Sequence, residues 1–257
     1  MQNTLKRLFF LLPLTALAWS CTNDELTPQY GEQEAGKIVI RAYNALQDSI
    51  QINANGKALK IADKDAFVKK IVKDYEFVYY NDEVENIDIL DKVTGETLHS
   101  YSFTKSASTD TLSFYNNNGY WIDDVLSSRP GKLSGTGYTG YRFIFPTLNR
   151  YSKTGYTGSL DGIIKKTNGQ LLGTIENITQ GEFSAFIEFP FGSPPIIKME
   201  LVKHGTTESY IPGQQVFVQM VMQNNKSKLI VLEEKATENG TFSGVEGVIN
   251  LTDYFDF

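Results

Sequence analysis

From residue 37 onward, short runs of alternating apolar and polar residues are separated by clusters of Gly, Asn, Asp and Ser. A period of two, bounded by turn residues, predicts half-buried strands. A first series covers 37–44, then 49–59, where Asn55-Gly56 has the form of a two-residue hairpin turn. It continues through 75–80, a hairpin of 87–90 and 97–104 around Val93-Thr94-Gly95-Glu96, and 111–115. A second series starts at 141–145. It runs through a hairpin of 160–166 and 171–178 around Asn168-Gly169, then 183–189, 196–202, the pair 216–222 and 229–232, and 242–251. The terminal Tyr254-Phe255-Asp256-Phe257 is predicted to dock as a last strand. One segment breaks the pattern. At 63–73, Phe67, Val68, Ile71 and Val72 have helical spacing behind Asp63 and Asp65, which predicts a short helix.

Turn signals spaced in this way predict an all-β chain of two antiparallel β-sandwich or barrel-like domains. The stretch 126–137 holds Ser127, Ser128, Pro130, Gly131, Gly135 and Gly137 and is predicted to link a sandwich at 37–125 to one at 138–257. The order of hairpins in the first unit resembles the small immunoglobulin-like or transthyretin-like extracellular sandwiches of Bacteroidota lipoproteins, a likeness of pattern without a diagnostic motif.

The N-terminus has a different character. Lys6 and Arg7 precede an apolar run, 8–18, interrupted by Pro13. That run suits the core of a secretory signal and is too short to cross a bilayer, which takes about 20 residues. Ala18 and Ser20 then flank a cut position, and Cys21 follows at once. In this it resembles a bacterial lipoprotein signal, which implies removal of 1–20 and lipidation of Cys21. The plainer alternative is an ordinary signal peptide that contains a cysteine. Thr22-Asn23-Asp24-Glu25 resembles the acidic export signal of Bacteroidota surface lipoproteins, with Asp24 and Glu25 as its acids; the alternative is an acidic linker. The resemblance implies a membrane partner held through the lipid anchor and an outer-membrane location facing the cell surface; the polar, acidic stretch 21–36, without periodicity, reads as a tether.

Composition narrows the chemistry. Removing 1–20 takes away Lys6 and Arg7 and no acid, so the formal charge goes from −6 to −8. Such a surface argues against nucleic acid as a partner. Cys21 is the chain's single cysteine, so a lipidated chain has no thiol left for a disulfide or a metal. His99 and His204 are the two histidines, and neither has a second histidine or a cysteine nearby in sequence. Ser102-Phe103-Thr104-Lys105 and Lys153-Thr154-Gly155 have the form of two motifs of penicillin-recognising enzymes. The serine, however, lies in an alternating strand rather than opening a helix, and the Ser-Asp-Asn motif is missing. The expectation is a non-enzyme without cofactor or metal.

Two stretches suit a binding surface. Thr136-Gly137-Tyr138-Thr139-Gly140 recurs as Thr154-Gly155-Tyr156-Thr157-Gly158. If both copies lie on neighbouring loops, Tyr138 and Tyr156 flank one groove, and aromatic faces pack well on sugars; otherwise both rings fold onto the core. The stretch 116–124 joins Tyr120 and Trp121 to three Asn and to Asp123 and Asp124, as a glycan platform or as a polar loop leading to a buried tryptophan. Asp48-Ser49-Ile50 and Asp110-Thr111-Leu112 resemble the O-glycosylation pattern of the Bacteroidota, with Ser49 and Thr111 as acceptors. The function these features imply is binding or adhesion at the cell surface, to polysaccharide or within a surface protein complex. The alternative is a structural subunit of a fimbrial or other surface assembly.

Overall fold

The computed structural model describes residues 33–80, 83–105, 109–117 and 120–257, so Cys21, Asp24 and Glu25 lie outside the described residues. Among the described residues the first unit has eight strands: β1 (Gln33–Asn44), β2 (Ile50–Ala54), β3 (Lys57–Ala58), β4 (Lys69–Tyr80), β5 (Glu85–Asp91), β6 (Thr97–Phe103), β7 (Thr109–Asn117) and β8 (Tyr120–Asp123). They form two four-stranded sheets, ordered β4-β1-β7-β8 and β3-β2-β5-β6. Alternation explains the packing. Ile38, Ile40 and Ala42 on β1 and Phe114 on β7 point inward against Ile50 and Ile52 on β2 and Ile87 and Ile89 on β5. Asn55 and Gly56 both take positive φ, as the tight β2–β3 turn requires.

The second unit also has eight strands: β9 (Tyr138–Ile144), β10 (Leu160–Lys166), β11 (Leu171–Ile178), β12 (Ile187–Pro190), β13 (Ile196–Lys203), β14 (Val216–Val221), β15 (Lys226–Ala236) and β16 (Phe242–Asn250). Its sheets are ordered β12-β9-β15-β16 and β11-β10-β13-β14. Adding eight to each strand number of the first unit reproduces the second. Even the one parallel pairing recurs, β1 with β7 and β9 with β15. The chain is therefore a tandem of one sandwich topology, an architectural repeat distinct from the five-residue sequence repeat.

The predicted helix is absent. Residues 69–80 form the long strand β4, and the first part of 63–73 is bridge and turn. Phe67 pairs with Ile50, Ile71 is buried, and Val68 and Val72 face solvent. Apolar positions at i, i+1, i+4 and i+5 mimic a helical face, but the alternation of Tyr75, Phe77 and Tyr79 extends back to Ile71 and decides the outcome. Two further expectations change. Residues 120–123, for which no strand is predicted, are strand β8, hairpinned to β7. The C-terminal residues form a 3-10 turn, Leu251–Asp253, rather than a last strand.

A third apolar cluster joins the units. Tyr115, Ile122 and Val125 of the first pack with Ile144, Leu229, Val231, Leu251 and Phe255 of the second. Tyr43 meets Tyr254 with ring centroids 4.1 Å apart, and Lys70 pairs with Asp256 at 3.0 Å. Glu233 on β15 accepts from Tyr120 Oη and, at 3.1 Å, from Asn117 Nδ2. Residues 126–137 carry no strand and run along the second unit, where Gly131 lies under the Phe186 ring. Among the described residues no helix is long and apolar enough to cross a membrane.

Candidate functional site

The four proposed ligand-binding residues do not gather in one place. Tyr138 starts β9 beside Asn225, whose N–H donates to Tyr138 O at 2.8 Å. Tyr156 lies in the long loop after β9, at the other end of the sandwich. Its hydroxyl donates to Ser159 O at 2.8 Å, and its ring lies over Gly158, where a Cβ would sit 2.4 Å from the phenol oxygen. The two copies of the five-residue repeat thus do different jobs. The first is a turn opening a strand, and the second is a loop folded on itself. They share a positive φ at Gly137 and Gly155, the feature that glycine supplies at least cost. Ser49 precedes β2, and Thr111 is exposed on β7.

Tyr120 and Trp121 are neighbours on β8, so their side chains leave opposite faces of the strand. Tyr120 points to the unit junction, where burial and then the Glu233 carboxylate push its phenol pKa up. Trp121 closes the flank of the first sandwich between its two edge strands, β6 and β8. It stacks on Phe114 at 4.5 Å and on His99 at 4.9 Å, with interplanar angles of 20° and 6°. Both indole faces are therefore covered. Its Nε1 donates at 2.8 Å to Tyr101 Oη and at 2.8 Å to Asp123 Oδ1, and Tyr101 itself donates to Asp123. Burial, followed by that carboxylate, raises the Tyr101 pKa. His99 Nε2 lies 3.5 Å from Asp123 Oδ2. Trp121 is a keystone of the flank, and no sugar ring can stack on it without displacing His99.

Asp123 also opens onto a second feature. A cleft of about 400 Å³ lies where the two units meet, lined by Asp123, Asp124, Ser128, Arg142, Glu182 and Phe183 among others. Three local structures build it. After β8 the chain turns sharply at Asp124, with φ of 49°, a conformation that Asp tolerates better than most residues. Ser127 N–H and Oγ both return to Asp124 O, at 3.2 and 2.9 Å, while Val125 is buried beneath. On the opposite wall Thr179 Oγ1 accepts from Glu182 N–H at 3.1 Å and donates to Glu182 O at 3.0 Å. This turn buries Phe183 and leaves Glu182 exposed.

Arg142 on β9 holds the walls together. Its Nε donates to Ser184 O at 2.7 Å, Nη1 to Ser128 O at 2.8 Å and Arg129 O at 3.3 Å, and Nη2 to Phe183 O at 3.4 Å. Burial holds its pKa below the usual arginine value. The guanidinium is thus committed to four carbonyls. The carboxylates of Asp124 and Glu182, by contrast, have no hydrogen-bond partner among the described residues. The cleft offers a ligand several acceptors and, apart from serine hydroxyls, few donors.

Comparison with known proteins adds little to this geometry. No family model matches the chain, and no curated protein matches it. Solved structures with some likeness include the TIE protein of Bacillus anthracis, with a TM-score of 0.25 and 8% identity over 84% of this chain. The chain spans 34% of that structure's length. A family CBM26 module, CBMbc, of Eubacterium rectale Amy13K, solved with maltoheptaose, has a TM-score of 0.22 and 10% identity, covering 82% of this chain and 93% of the module. A candidate adhesin from Bacteroides ovatus has a TM-score of 0.20 and 8% identity, covering 84% of this chain and 93% of its own. Likenesses this slight carry no functional argument, and the reading below rests on the site.

Asp123 and Asp124 fall in a stretch that the sequence singles out, but Arg142 and Glu182 do not. A lone arginine in a strand and a lone glutamate in a turn have no local signature, and only the packing of one unit on the other makes them a site. Of the two histidines, His204 sits at the far end of the second unit. There its Nδ1 is 2.8 Å from Asp161 Oδ1, and the buried carboxylate also accepts from Gly205 N–H at 2.9 Å and Asn177 N–H at 3.1 Å. The hydrogen bond to Asp161, then its charge, raises the His204 pKa. Among the described residues no three His, Cys, Asp or Glu side chains gather to hold a metal ion.

Proposed function

We propose that this chain is a non-catalytic, lipid-anchored binding protein of the outer bacterial surface, and that the cleft between its two sandwiches takes a neutral, hydroxyl-rich ligand, a glycan segment. The observation that carries this reading is the unpartnered state of Asp124 and Glu182 on facing walls of one cleft. Clefts at unit junctions with a few converging polar groups are the usual places for small ligands, and this volume falls within their range. An acceptor-rich lining matches the donors of sugar hydroxyls and disfavours anionic glycans. Arg142 does the positioning. By tying 128–129 to 183–184 it keeps the cleft's shape before the ligand arrives, which lowers the entropic cost of binding.

The reading is tested by calorimetric titration with a panel of neutral and acidic oligosaccharides. Neutral members should bind and acidic ones should not. Asp124→Asn and Glu182→Gln should each weaken binding by about 2–10-fold, the worth of one hydrogen bond of roughly 0.5–1.5 kcal/mol. Neither should lower the melting temperature, since neither carboxylate has a hydrogen-bond partner among the described residues. Binding that survives both substitutions unchanged would place the ligand elsewhere.

A further inference from the structure

The tandem topology allows the two sandwiches to be compared flank by flank. Among the described residues each of the four sheets ends in two edge strands, and an edge presents unpaired backbone groups that invite another strand. Seven of these eight edges carry a protecting ionisable or proline residue. β3 has Lys57, β4 has Lys70 and Asp74, β6 has His99, β8 has Asp123, β11 has Glu176, β12 has Glu188 and Pro190, and β16 has Glu246. The eighth, β14, reads Val216-Phe217-Val218-Gln219-Met220-Val221 and has none. Its counterpart in the first unit, β6, is further sealed by the His99–Trp121–Asp123 cluster. Beside β14 the equivalent flank lacks such a cluster; β16 packs alongside β14, and between them lies a groove of about 240 Å³, with Gln219, Met220 and Val221 on one wall and Val248 and Ile249 on the other.

The backbone of β14 is set up for pairing. Met222 N–H donates to Pro195 O at 2.7 Å, continuing the β13–β14 register. Even-numbered positions therefore turn their backbone groups toward β13. Phe217, Gln219 and Val221 turn theirs to the free edge, since backbone groups alternate along a strand. The side chains of Phe217 and Val221 are 42% and 55% exposed on the sheet's outer face. One outward carbonyl, Val221 O, is capped by Lys228 Nζ at 3.1 Å, a side-chain contact that a strand can replace.

We infer that β14 pairs antiparallel with β14 of a second copy of this chain, about a two-fold axis at Gln219. The sequence of the strand is self-complementary in that register. Gln219 faces Gln219 of the second copy, and Phe217 faces Val221 twice, an aromatic–β-branched cross-strand pair of the favourable kind. All three positions present their outward backbone groups to one another, and no charge opposes contact along the strand. The two four-stranded sheets then become one of eight strands, and the cleft between the units, on other strands, stays open.

Cysteine cross-linking tests the register in the full chain. In this arrangement Gln219→Cys meets its own copy at a Cα separation of about 5.5 Å, within disulfide reach. Phe217→Cys lies four residues from its copy, about 14 Å along the strand, and should not cross-link alone. A mixture of Phe217→Cys and Val221→Cys chains should cross-link with each other. Sedimentation velocity should show a concentration-dependent dimer. Gln219→Lys, which sets like charges directly opposite, should abolish it, and at concentrations where the unsubstituted chain is monomeric the two should melt alike. A chain that sediments as a monomer at every concentration would overturn the inference. So would equal cross-linking of Phe217→Cys and Gln219→Cys alone, or a dimer that survives Gln219→Lys.

Discussion

The long loop after β9 hangs on one buried acid, and removing that acid tests how the second unit is held together. Glu234 is 2% exposed on β15. Its Oε2 accepts from Tyr151 N–H at 2.7 Å and Ser152 N–H at 3.0 Å. Its Oε1 accepts from Asn149 N–H at 3.1 Å, Ser152 Oγ at 2.6 Å and Tyr210 Oη at 3.2 Å. Glu234→Gln keeps the volume but sets an amide N–H₂ against donors. The less costly orientation puts that nitrogen in the place of Oε1, where both hydroxyls can turn to accept and only Asn149 N–H is orphaned. One unsatisfied backbone donor and a lost charge-assisted acceptor cost about 2 kcal/mol. Glu234→Ala orphans all five donors; partial rehydration through the truncated site holds the loss to about 4 kcal/mol, in the range for removing one partner of a buried charged network. For a chain of this size that is a fall of about 8–16 °C in melting temperature. Urea unfolding followed by far-UV circular dichroism measures it. In a chain that starts at residue 21, Trp121 is the one tryptophan, and its fluorescence reports on the first unit separately. Equal losses for Gln and Ala would mean that volume rather than hydrogen bonding holds the loop. Losses below about 1 kcal/mol for both would refute the network as an anchor.

Two predictions concern other parts of the chain. Cys21→Ala should release the protein from the membrane fraction or leave it unprocessed; normal acylation and retention of that variant, read by fractionation and metabolic lipid labelling, would sink the lipoprotein proposal. The Asp161–His204 pair should make stability depend on pH. The raised His204 pKa gives a contribution present in full below its ordinary 6.5 and lost as pH rises through the folded value. Burial of Asp161 opposes its ionisation, but hydrogen bonds from Gly205, His204 and Asn177 outweigh it and lower its pKa, so its contribution is present above the ordinary 3.8 and lost on acidification. The pair's contribution to the melting temperature should therefore be largest between about pH 4 and 6.5 and fall toward alkaline pH, and His204→Gln should remove that alkaline loss.

The strands were legible because alternation is a local signal. Ile38-Val39-Ile40, Asn55-Gly56 and Asn168-Gly169 each announce their geometry within a few residues. The segment 63–73 misled because Phe67, Val68, Ile71 and Val72 satisfy both periods; the alternation that runs on to Tyr79, the bridge of Phe67 to Ile50 and the pairing of β4 with β1 resolve them. The tandem topology was invisible for a related reason. Which strands become neighbours depends on contacts such as β1 with β7, between residues far apart in sequence, and equivalent strands need share only their alternation.

The candidate site was half legible, and the missing half has a physical logic. Aromatic residues drew attention to 116–124 and to Tyr138 and Tyr156, yet the structure uses most of those rings for closure. Trp121 seals a flank, Tyr120 bridges to Glu233, and Tyr156 covers its own loop glycine. A large ring is the most effective way to cover apolar surface, so composition alone favours that use over ligand stacking. Unpartnered polar groups at a junction are the better indicator, because a folded chain satisfies its buried polar groups internally and leaves free those that face solvent or a ligand. Asp124 and Glu182 belong to that class, and β14 is its backbone equivalent. Both features are defined by groups left largely without partners among the described residues, and partners become countable only after the fold is known.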